Sequence, residues 1–448
     1  MRWAPDSLLR ALACLALSAL VYAIAPAPDA LRIGLAIFVL IGGLWMTQAL
    51  HLSVTALLVP LLAVLAGLMD PRTALASFAH PIIFLFLGGF ALAAALQRQG
   101  LDQVLARGVL GLAAGRRLVA AVLLFALTGL LSMWISNTAT AAMMLPLALG
   151  LLREQDGPPE RAFVLLGVAY SASIGGIGTL VGSPPNAIAA AQAGIGFAEW
   201  LRIGVPLVML LLPLMAGVLF LVLRPHFGVE TPQSPGHSTP QVFTRPQRIT
   251  LVVFGVTAAG WIGAAPLGRL LGIAADVDSV IAVAAIVALV ASGAIGWPDI
   301  EQRTQWGVLL LFGGGLALSE VMAISGASRF MAGALTSALQ GAPPVLILLG
   351  VVTFVVFLTE LVSNTAAAAL LVPIFVGVAV ALDLPAPLLA AAIAVSASCA
   401  FMLPVGTPPN AIVYATEQVP QATMMRCGLV LNLVCIAVIT AVATWAFA

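Results

Sequence analysis

The sequence is short of charge and contains no lysine. Only 8% of its 448 residues are charged, the 18 basic residues are all arginine, and 17 acidic residues leave a formal net charge of +1. So few charged groups cannot cover the surface of a soluble globule. There is also no basic stripe of the kind that binds nucleic acid. Hydrophobic residues make up 62% of the chain, and apolar stretches of about 20 residues recur throughout, which predicts a polytopic membrane protein.

Cysteine and histidine are equally scarce, with four residues of each. Neither type occurs as CxxC or with the Cys/His spacing of a metal centre, so no metal centre is expected and the cysteines are predicted to be small buried hydrophobic residues. The residues concerned are Cys14, Cys399, Cys427 and Cys435, and His51, His80, His226 and His237.

The N-terminal segment carries Arg2 and Arg10 beside an apolar run that ends at Ala25. The Ala-x-Ala string at 23–25 is compatible with a signal cleavage site. We predict a retained first helix instead, because its removal would disturb the charge topology described below.

Apolar runs and helix-breaking residues divide the chain into two similar halves. In each half, spans are followed by a hairpin (118–152 and 343–381) and by an interrupted span (162–195 and 385–416). The hairpins are too short for two full crossings and too long for one, so they are predicted to enter and leave on the same side of the membrane. Interrupted backbone at this depth is tolerated only where it is buried in protein or lines a cavity. The other predicted spans are 8–25, 31–49, 52–69, 80–97 and 202–223, then 250–265, 278–296, 306–322 and 423–446.

A short segment at 98–116 has Asp102 and Gln103 on one side and Leu101 and Leu105 on the other. This spacing predicts an amphipathic helix at the membrane interface, and an extension of the preceding helix is the alternative. The corresponding segment of the second half is 325–340.

The pattern Ser-Asn-Thr occurs twice, at 136–138 and 363–365. A hydroxyl residue four positions before each serine and a proline eight positions after each threonine repeat at the same offset of 227. The strings GSPPNAI and GTPPNAI follow at 182–188 and 406–412, an offset of 224. These matches indicate an internal duplication, and the odd number of crossings between the copies makes the repeats inverted. Small polar residues doubled in this way predict one pseudo-symmetric binding site built from both halves.

Charge placement supports this map. With the N-terminus in the cytoplasm, 13 arginines lie inside and 5 outside, in agreement with the positive-inside rule. Eleven full crossings and two re-entrant hairpins then leave the C-terminus outside. The predicted boundaries are 1–224 for the first repeat (scaffold helices 1–117, hairpin and broken helix 118–224), 225–249 for a polar cytosolic linker, and 250–448 for the second repeat (scaffold helices 250–342, hairpin and broken helix 343–448).

Hairpin tips and unwound loops expose backbone carbonyls and helix N-termini inside the membrane. Carbonyl and hydroxyl oxygens suit a small hard cation, whereas helix N-termini and hydroxyl or amide donors suit an anion. We therefore predict one cation cage in each repeat with a shared substrate site between them; hydrogen bonding between helices is the structural alternative. The first cage comprises Ser132, Ser136, Asn137 and Gly182, the second Thr359, Ser363, Asn364 and Gly406, and Thr138, Ser183, Thr365 and Thr407 face the substrate.

No arginine falls within the predicted core of the site, so bound cations are expected to offset the charge of a dianionic substrate. Two carboxylates, Glu320 and Glu360, lie at apparent membrane depth. Glu360 stands where the first half has Met133, and it either serves the second cation site, carries a proton, or accepts hydrogen bonds from nearby backbone. Glu320 is predicted to mark a helix end. Asn186 and Asn410, after the proline pairs, are predicted to cap the following half-helices.

The chain resembles the divalent-anion/sodium symporter family of dicarboxylate and sulfate carriers in the strings SNTATAAMMLP, SNTAAAALLVP, GSPPNAI and GTPPNAI, preceded by FLFLGGFALAAALQRQGL. The resemblance covers nearly the whole chain. It implies a homodimer in the plasma or inner membrane, in which a scaffold domain holds the dimer interface and a transport domain moves as an elevator. It also implies sodium binding by the two cages and substrate contacts on Asn137, Thr138, Ser183, Asn364, Thr365, Thr407 and Pro408.

Every motif position is occupied, which favours a sodium-coupled importer over the exchangers of this family. We expect a C4-dicarboxylate such as succinate, malate or fumarate, because both tips are complete and no cationic residue is offered for a third carboxylate. Citrate, sulfate and sodium-independent exchange stay open as alternatives. An anion channel would need a continuous pore, and an intramembrane hydrolase would need a base, but no His or Asp accompanies Ser136 or Ser363.

Overall fold

The computed structural model describes residues 5–26, 28–113, 115–227, 243–338, 341–381 and 384–447. Within these ranges the protein is all α-helical, with 22 α-helices, two short 3₁₀ turns and no strand. The predicted all-α membrane fold is confirmed. Arg2 and residues 228–242, which make up most of the predicted linker and include His237, lie outside the described residues.

The helix bounds follow the predicted spans. In the first half the helices are α1 (Pro5–Ile24), α2 (Asp29–Thr47), α3 (Leu52–Leu65), α4 (Pro71–Ala76), α5 (Pro81–Arg98), α6 (Leu101–Gly111), α7 (Arg117–Ser132), α8 (Asn137–Leu151), α9 (Pro158–Gly175), α10 (Pro184–Ala193) and α11 (Phe197–Leu223). In the second half they are α12 (Arg245–Ile262), α13 (Ala264–Leu271), α14 (Val277–Ala291), α15 (Trp297–Arg303), α16 (Trp306–Ser325), α17 (Ala327–Ala338), α18 (Pro344–Thr359), α19 (Asn364–Ala381), α20 (Ala386–Ala397), α21 (Pro408–Tyr414) and α22 (Gln421–Phe447).

Eight of the described helices are long and apolar enough to cross a bilayer by themselves, or nine if α12 and α13, which meet at 85°, form one span. The hairpin arms α7, α8 and α18 and the half-helix α20 are shorter than a full crossing requires, as are α3 and α14 of two predicted spans, whereas the hairpin arm α19 is one of the eight. The structure contains no membrane, so the predicted eleven crossings and the re-entrant course of the hairpins stay predictions.

Each predicted interruption is a stretch of non-helical backbone between two helices. α9 ends at Gly175 and α10 begins at Pro184, while α20 ends at Ala397 and α21 begins at Pro408. The residues before the proline pairs are extended, with φ of −145° at Ser183 and −140° at Thr407. Because proline lacks an N–H and fits the first turn of a helix, each pair starts a new half-helix after the break.

The two halves pack on each other through equivalent pairs of helices. α3 of the first half packs on α16 of the second, and α14 of the second half packs on α5 of the first. A glycine meets an alanine at both contacts. A Cβ added at Gly314 would lie 2.5 Å from Ala56 Cβ, and one at Gly88 would lie 2.6 Å from Ala282 Cβ. Such close helix approach requires glycine. Gly88 and Gly314 therefore serve the same packing role in the two halves.

The equivalent helices α3 and α14 begin at opposite ends of the molecule. α3 and α16 begin side by side, since Ser53 Oγ donates to the Gly307 carbonyl at 3.4 Å. α5 and α14 also begin together, because His80 and Val277 line the same cavity. The chain passes along α3 to reach the start of α5, and along α14 to reach the start of α16. The copies thus run in opposite directions, as expected of an inverted duplication; the domain boundaries stay a prediction.

The interfacial segment forms α6, but burial does not divide it into the predicted polar and apolar sides. Leu101 and Asp102 are buried, at 1% and 5% exposed, whereas Gln103 and Leu105 are exposed. α6 packs against α5 and α7, so its buried side faces protein, where Asp102 accepts the N–H of Gln103 at 2.9 Å. Each predicted side thus contributes one buried residue, Leu101 and Asp102, to the contact with protein.

Candidate functional site

Both Ser-Asn-Thr tips line one cavity of about 820 Å³. Of the predicted site residues, Ser136, Asn137, Thr138, Gly182, Ser183, Ser363, Asn364, Thr365, Gly406, Thr407 and Pro408 line this cavity. The other two, Ser132 and Thr359, are fully buried behind it. Residues at the end of α2 and around the starts of α3 and α16 also line it: Met46, Thr47, Gln48, Leu52, Gln305 and Val308. The structure therefore brings the duplicated motifs together at one cavity shared with these helices.

The tips lie at this cavity because each triplet begins the second arm of its hairpin. α8 begins at Asn137 and α19 at Asn364. Ser136 caps α8, its Oγ accepting the Ala139 N–H at 3.4 Å, and Thr407 caps α21 through the Asn410 N–H at 3.4 Å. With α10, four helices begin at the cavity wall, and the unpaired N–H groups of helix N-termini favour negative charge.

An oxygen-rich cluster lies behind the first tip. Ser132 Oγ is 2.6 Å from the Ala172 carbonyl and 2.8 Å from Asn137 Oδ1, yet a hydroxyl has one proton to donate. The Asn137 amide group that faces this cluster meets only acceptors, with the Ala172 and Gly182 carbonyls each at 3.2 Å. Two arrangements satisfy these groups: the amide nitrogen turns inward and donates, or the amide oxygen faces inward and a cation binds among the oxygens.

The second tip repeats this geometry. Thr359 Oγ1 is 2.6 Å from Asn364 Oδ1 and 2.9 Å from the Ala397 carbonyl, so one proton again lies between two acceptors. When the asparagine amide oxygen faces inward, hydrogen-bond acceptors outnumber donors at the same place in both halves. Such oxygen atoms are the ligands that a hard cation prefers.

The carbonyls of Ala172 and Ala397 were missed in the sequence analysis. Their signal is a further repeat, Ser-Ala-Ser at 171–173 and 396–398, just before each interruption. Alanine offers no polar side chain, so only the duplication itself could have drawn attention to these positions.

Asn186 and Asn410 do not cap the half-helices, contrary to the prediction. Each side chain turns back and holds the unwound loop before it. Asn186 Nδ2 donates to the carbonyls of Gly176 and Thr179 at 2.8 Å, and Asn410 Nδ2 donates to those of Ala400 and Leu403 at 3.0 Å. Because non-helical backbone has no intrahelical partners, a buried amide is needed to satisfy these carbonyls.

Glu360 accepts hydrogen bonds from backbone. Its carboxylate oxygens accept the N–H groups of Phe401, Met402 and Leu403 at 2.7, 2.9 and 3.0 Å, and Asn432 Nδ2 donates at 2.8 Å. Glu360 is 3% exposed and does not line the cavity. This geometry favours the backbone-acceptor interpretation over the proton carrier. Glu320 is exposed near the end of α16.

The base of the first hairpin is fixed by a buried ion pair. Arg117 pairs with Asp156, the side chains being 9% and 6% exposed. Burial by itself would raise the pKa of Asp156, but hydrogen bonds from Arg117 and from the Arg153 N–H hold that pKa below its ordinary value. Arg161 Nη1 donates to Gln418 Oε1 at 2.7 Å. This hydrogen bond connects the open end of the first hairpin to the segment that precedes α22. The hairpin and the interrupted helices of both halves thus form one packed unit.

Arg10 of α1 also lines the cavity. The expectation that no arginine lies in the core holds for the two tips, but not for the wall of the cavity. The sequence analysis missed this residue because no spacing rule relates the first helix to a hairpin more than a hundred residues later.

A second cavity of about 450 Å³ lies at the other end of the scaffold helices, where α5 and α14 begin. Its lining includes His80, Asp276 and Asp278. Among the described residues no group of three or more His, Cys, Asp or Glu side chains is arranged to hold a metal ion. The four cysteines are buried.

Comparisons with known proteins agree with this architecture. A family model described as citrate transporter matches residues 43–395. An uncharacterized transporter of Haemophilus influenzae is 48% identical over 417 residues, which cover 91% of this chain and 90% of the relative. The sodium-dependent dicarboxylate transporter SdcS of Staphylococcus saprophyticus is 34% identical over 443 residues, covering 91% and 84%. The crystal structure of the Alcanivorax borkumensis YdaH transporter matches with a TM-score of 0.58 at 16% identity, covering 84% of this chain and 86% of that one.

The fold, the paired tips and these matches define a multi-pass membrane transporter. The chain belongs to the divalent-anion/sodium symporter family, through the citrate transporter model and the relatives that match nearly its whole length.

Proposed function

We propose that the protein is a sodium-coupled symporter of a C4-dicarboxylate such as succinate, malate or fumarate. The observation that carries this proposal is the pairing at each tip of a cavity-facing helix N-terminus with an oxygen cluster directly behind it. A helix N-terminus suits the anion, and an excess of acceptors suits the cation. At each tip one asparagine therefore contacts both the substrate and the cation.

Sodium occupies the two clusters in this proposal. The first is formed by Ser132, Ser136, Asn137 and Gly182, to which the Ala172 carbonyl is added. The second is formed by Thr359, Ser363, Asn364 and Gly406, with the Ala397 carbonyl. Two cations beside the cavity offset the two charges of the substrate, whose burial without compensation would be prohibitive.

The dicarboxylate lies between the tips. Asn137 and Thr138 contact one carboxylate and Asn364 and Thr365 the other, while Ser183, Thr407 and Pro408 line the space between them. Similarity to SdcS supports sodium and a dicarboxylate. The citrate transporter model supports citrate as the second candidate, and sulfate and sodium-independent exchange are further alternatives within the family.

The position of the cavity, between the hairpin tips and the helices α2, α3 and α16, supports an elevator cycle. We assign residues 1–117 and 250–342 to a scaffold that forms a homodimer, and 118–224 and 343–448 to a transport unit that moves as an elevator. With a cytoplasmic N-terminus in the plasma membrane, the ends of α2 and the start of α16 lie inside, so the cavity opens to the cytoplasm in this structure. The C-terminus is then outside.

Uptake by proteoliposomes tests the proposal. A panel of labelled succinate, citrate and sulfate is offered with an inward sodium gradient, with potassium and with choline. We expect saturable succinate uptake in sodium alone, and no replacement of sodium by potassium or by a proton gradient. Equal uptake in sodium and choline that requires internal dicarboxylate indicates the exchanger, and non-saturable flux indicates an anion channel.

A further inference from the structure

The first helix is packed so that Arg10 stands over the cavity. Cys14 fits against Gly43 of α2, where an added Cβ would lie 2.9 Å from Cys14 Sγ. One turn later, Ser18 Oγ donates to the Ala36 carbonyl at 2.8 Å. Arg10 lies one helical turn before Cys14 and therefore on the same face of α1. Its Nη1 donates to the Thr47 carbonyl at 3.4 Å.

Among the described residues that line this cavity, Arg10 is the one charged side chain. The guanidinium is exposed, and of its five N–H donors only one has a hydrogen bond to protein in the part of the chain that the structure describes. The second cavity, at the other end of the scaffold, carries the opposite character, with Asp276 and Asp278 in its lining. The two cavities thus differ in the sign of the fixed charge in their described linings.

We propose that Arg10 concentrates the dianionic substrate at the mouth of the first cavity and sets the half-saturation constant on that side of the membrane. This inference rests on the proposed function. A positive side chain in a cleft bounded by apolar helices raises the local concentration of an anion and speeds its association, and salt screens the effect. The tips, which lie deeper, bind the substrate; Arg10 acts on its approach and departure.

The first test measures the local potential and does not depend on transport. Met46 lines the cavity and is 42% exposed, and the native cysteines are buried, so Met46→Cys provides an accessible thiol next to Thr47. Its labelling rates with anionic sulfonatoethyl and cationic trimethylammonioethyl methanethiosulfonate are compared with and without Arg10→Gln. We expect Arg10→Gln to lower the anionic-to-cationic rate ratio about threefold at low salt, with the difference lost in high salt. Arg426→Gln, an exposed arginine on α22 outside the cavity lining, is the matched control. A ratio that Arg10→Gln leaves unchanged overturns the proposal.

The second test measures succinate half-saturation from each side in vesicles of defined orientation. Arg10→Gln should raise the constant on the cavity side severalfold, leave the other side unchanged and remove the salt dependence, whereas Arg10→Lys should retain wild-type behaviour. Equal changes on both sides would show that Arg10 supports the fold or binds the substrate throughout the cycle, and would overturn the inference. If wild-type protein shows no sodium-dependent uptake, the proposed function fails, and the labelling ratio still decides whether Arg10 sets the potential.

Discussion

At the residue scale, two hydroxyl groups define the site. Ser132 and Thr359 are fully buried, and each lies between an asparagine oxygen and a backbone carbonyl. A buried acceptor without a donor is costly, so this surplus, present twice, requires either an inward-turned amide nitrogen or a cation. The proposed sodium sites assign the surplus behind both tips to a cation, next to the substrate cavity.

Hydroxyl residues lie at two depths, and we predict that the two sets serve substrate binding and cation binding separately. Thr138 and Thr365 line the cavity, whereas Ser132 and Thr359 do not. Thr138→Val and Thr365→Val should raise the substrate half-saturation constant about tenfold, the effect of losing about 1.4 kcal/mol of hydrogen bonding. Ser132→Ala and Thr359→Val should first shift the sodium activation curve and affect substrate affinity only through coupling.

Both curves are measured for all four variants, with Cys435→Ser, a buried residue away from the cavity, as the silent control. Indistinguishable profiles for the two pairs would mean that the division of the site is wrong, even though the family assignment stands.

The tips could be found from the sequence because a duplicated polar triplet stands out in a chain with so little polarity. Backbone ligands could not be found in this way, since Ala172 and Ala397 contribute carbonyls that any residue type would supply. Arg10 reaches the cavity through the packing of α1 on α2, which local patterns do not encode. The sequence left three roles open for Glu360. The position of the loop 401–403 is what favours the backbone acceptor over the proton carrier.

At the element scale, the unwound loops need side chains that replace their missing backbone partners. Glu360 serves the loop of the second half, whereas Thr179 serves that of the first, its Oγ1 donating to the Met133 carbonyl and accepting the Gly182 N–H. A glycine of α11 packs against the first loop, and a glycine of α22 packs against the second. A Cβ added at Gly204 would lie 2.6 Å from the Ile177 carbonyl oxygen, and one added at Gly428 would lie 2.2 Å from the Phe401 carbonyl oxygen. The breaks are therefore rigid structures that hold the cavity wall.

Replacing Glu360 tests this role. Glu360→Ala leaves three buried N–H groups and Asn432 without their acceptor and should destabilise the fold by about 3 kcal/mol. Glu360→Gln, which keeps an acceptor oxygen, should cost less. The midpoint of thermal unfolding in detergent measures both, with the exposed Glu320→Ala as the matched control. Unchanged thermal stability in Glu360→Ala together with a loss of proton-dependent transport would favour the proton carrier instead.

The broken helices were predictable from Gly and Pro-Pro, because those residues end and start helices for steric reasons. The burial of Asp102 on α6 was not, since hydrophobic periodicity assumes water on the polar side. Leu101 and Asp102 are buried together, and only the packing of α6 on α5 and α7 identifies the side that faces protein.

At the scale of the whole molecule, inversion of the two halves creates two related ends. The contacts Gly88–Ala282 and Gly314–Ala56 fix the scaffold in a symmetric arrangement, while the two cavities at its ends differ in size and charge. The sequence predicted the inversion from the parity of the crossings and the arginine distribution. It could not predict which end is open, because one sequence must support both states of a transporter.

In the proposed mechanism each half supplies one sodium site, and both sites adjoin a single substrate. Equilibrium binding of radioactive sodium to the purified protein tests for these two sites without any assumption about the substrate. We predict one sodium ion for each cluster, loss of one ion in Asn137→Ala and of the other in Asn364→Ala, and none bound to the double variant, with thermal unfolding in choline unchanged. Sodium binding by the double variant equal to that of the wild type would refute both sites.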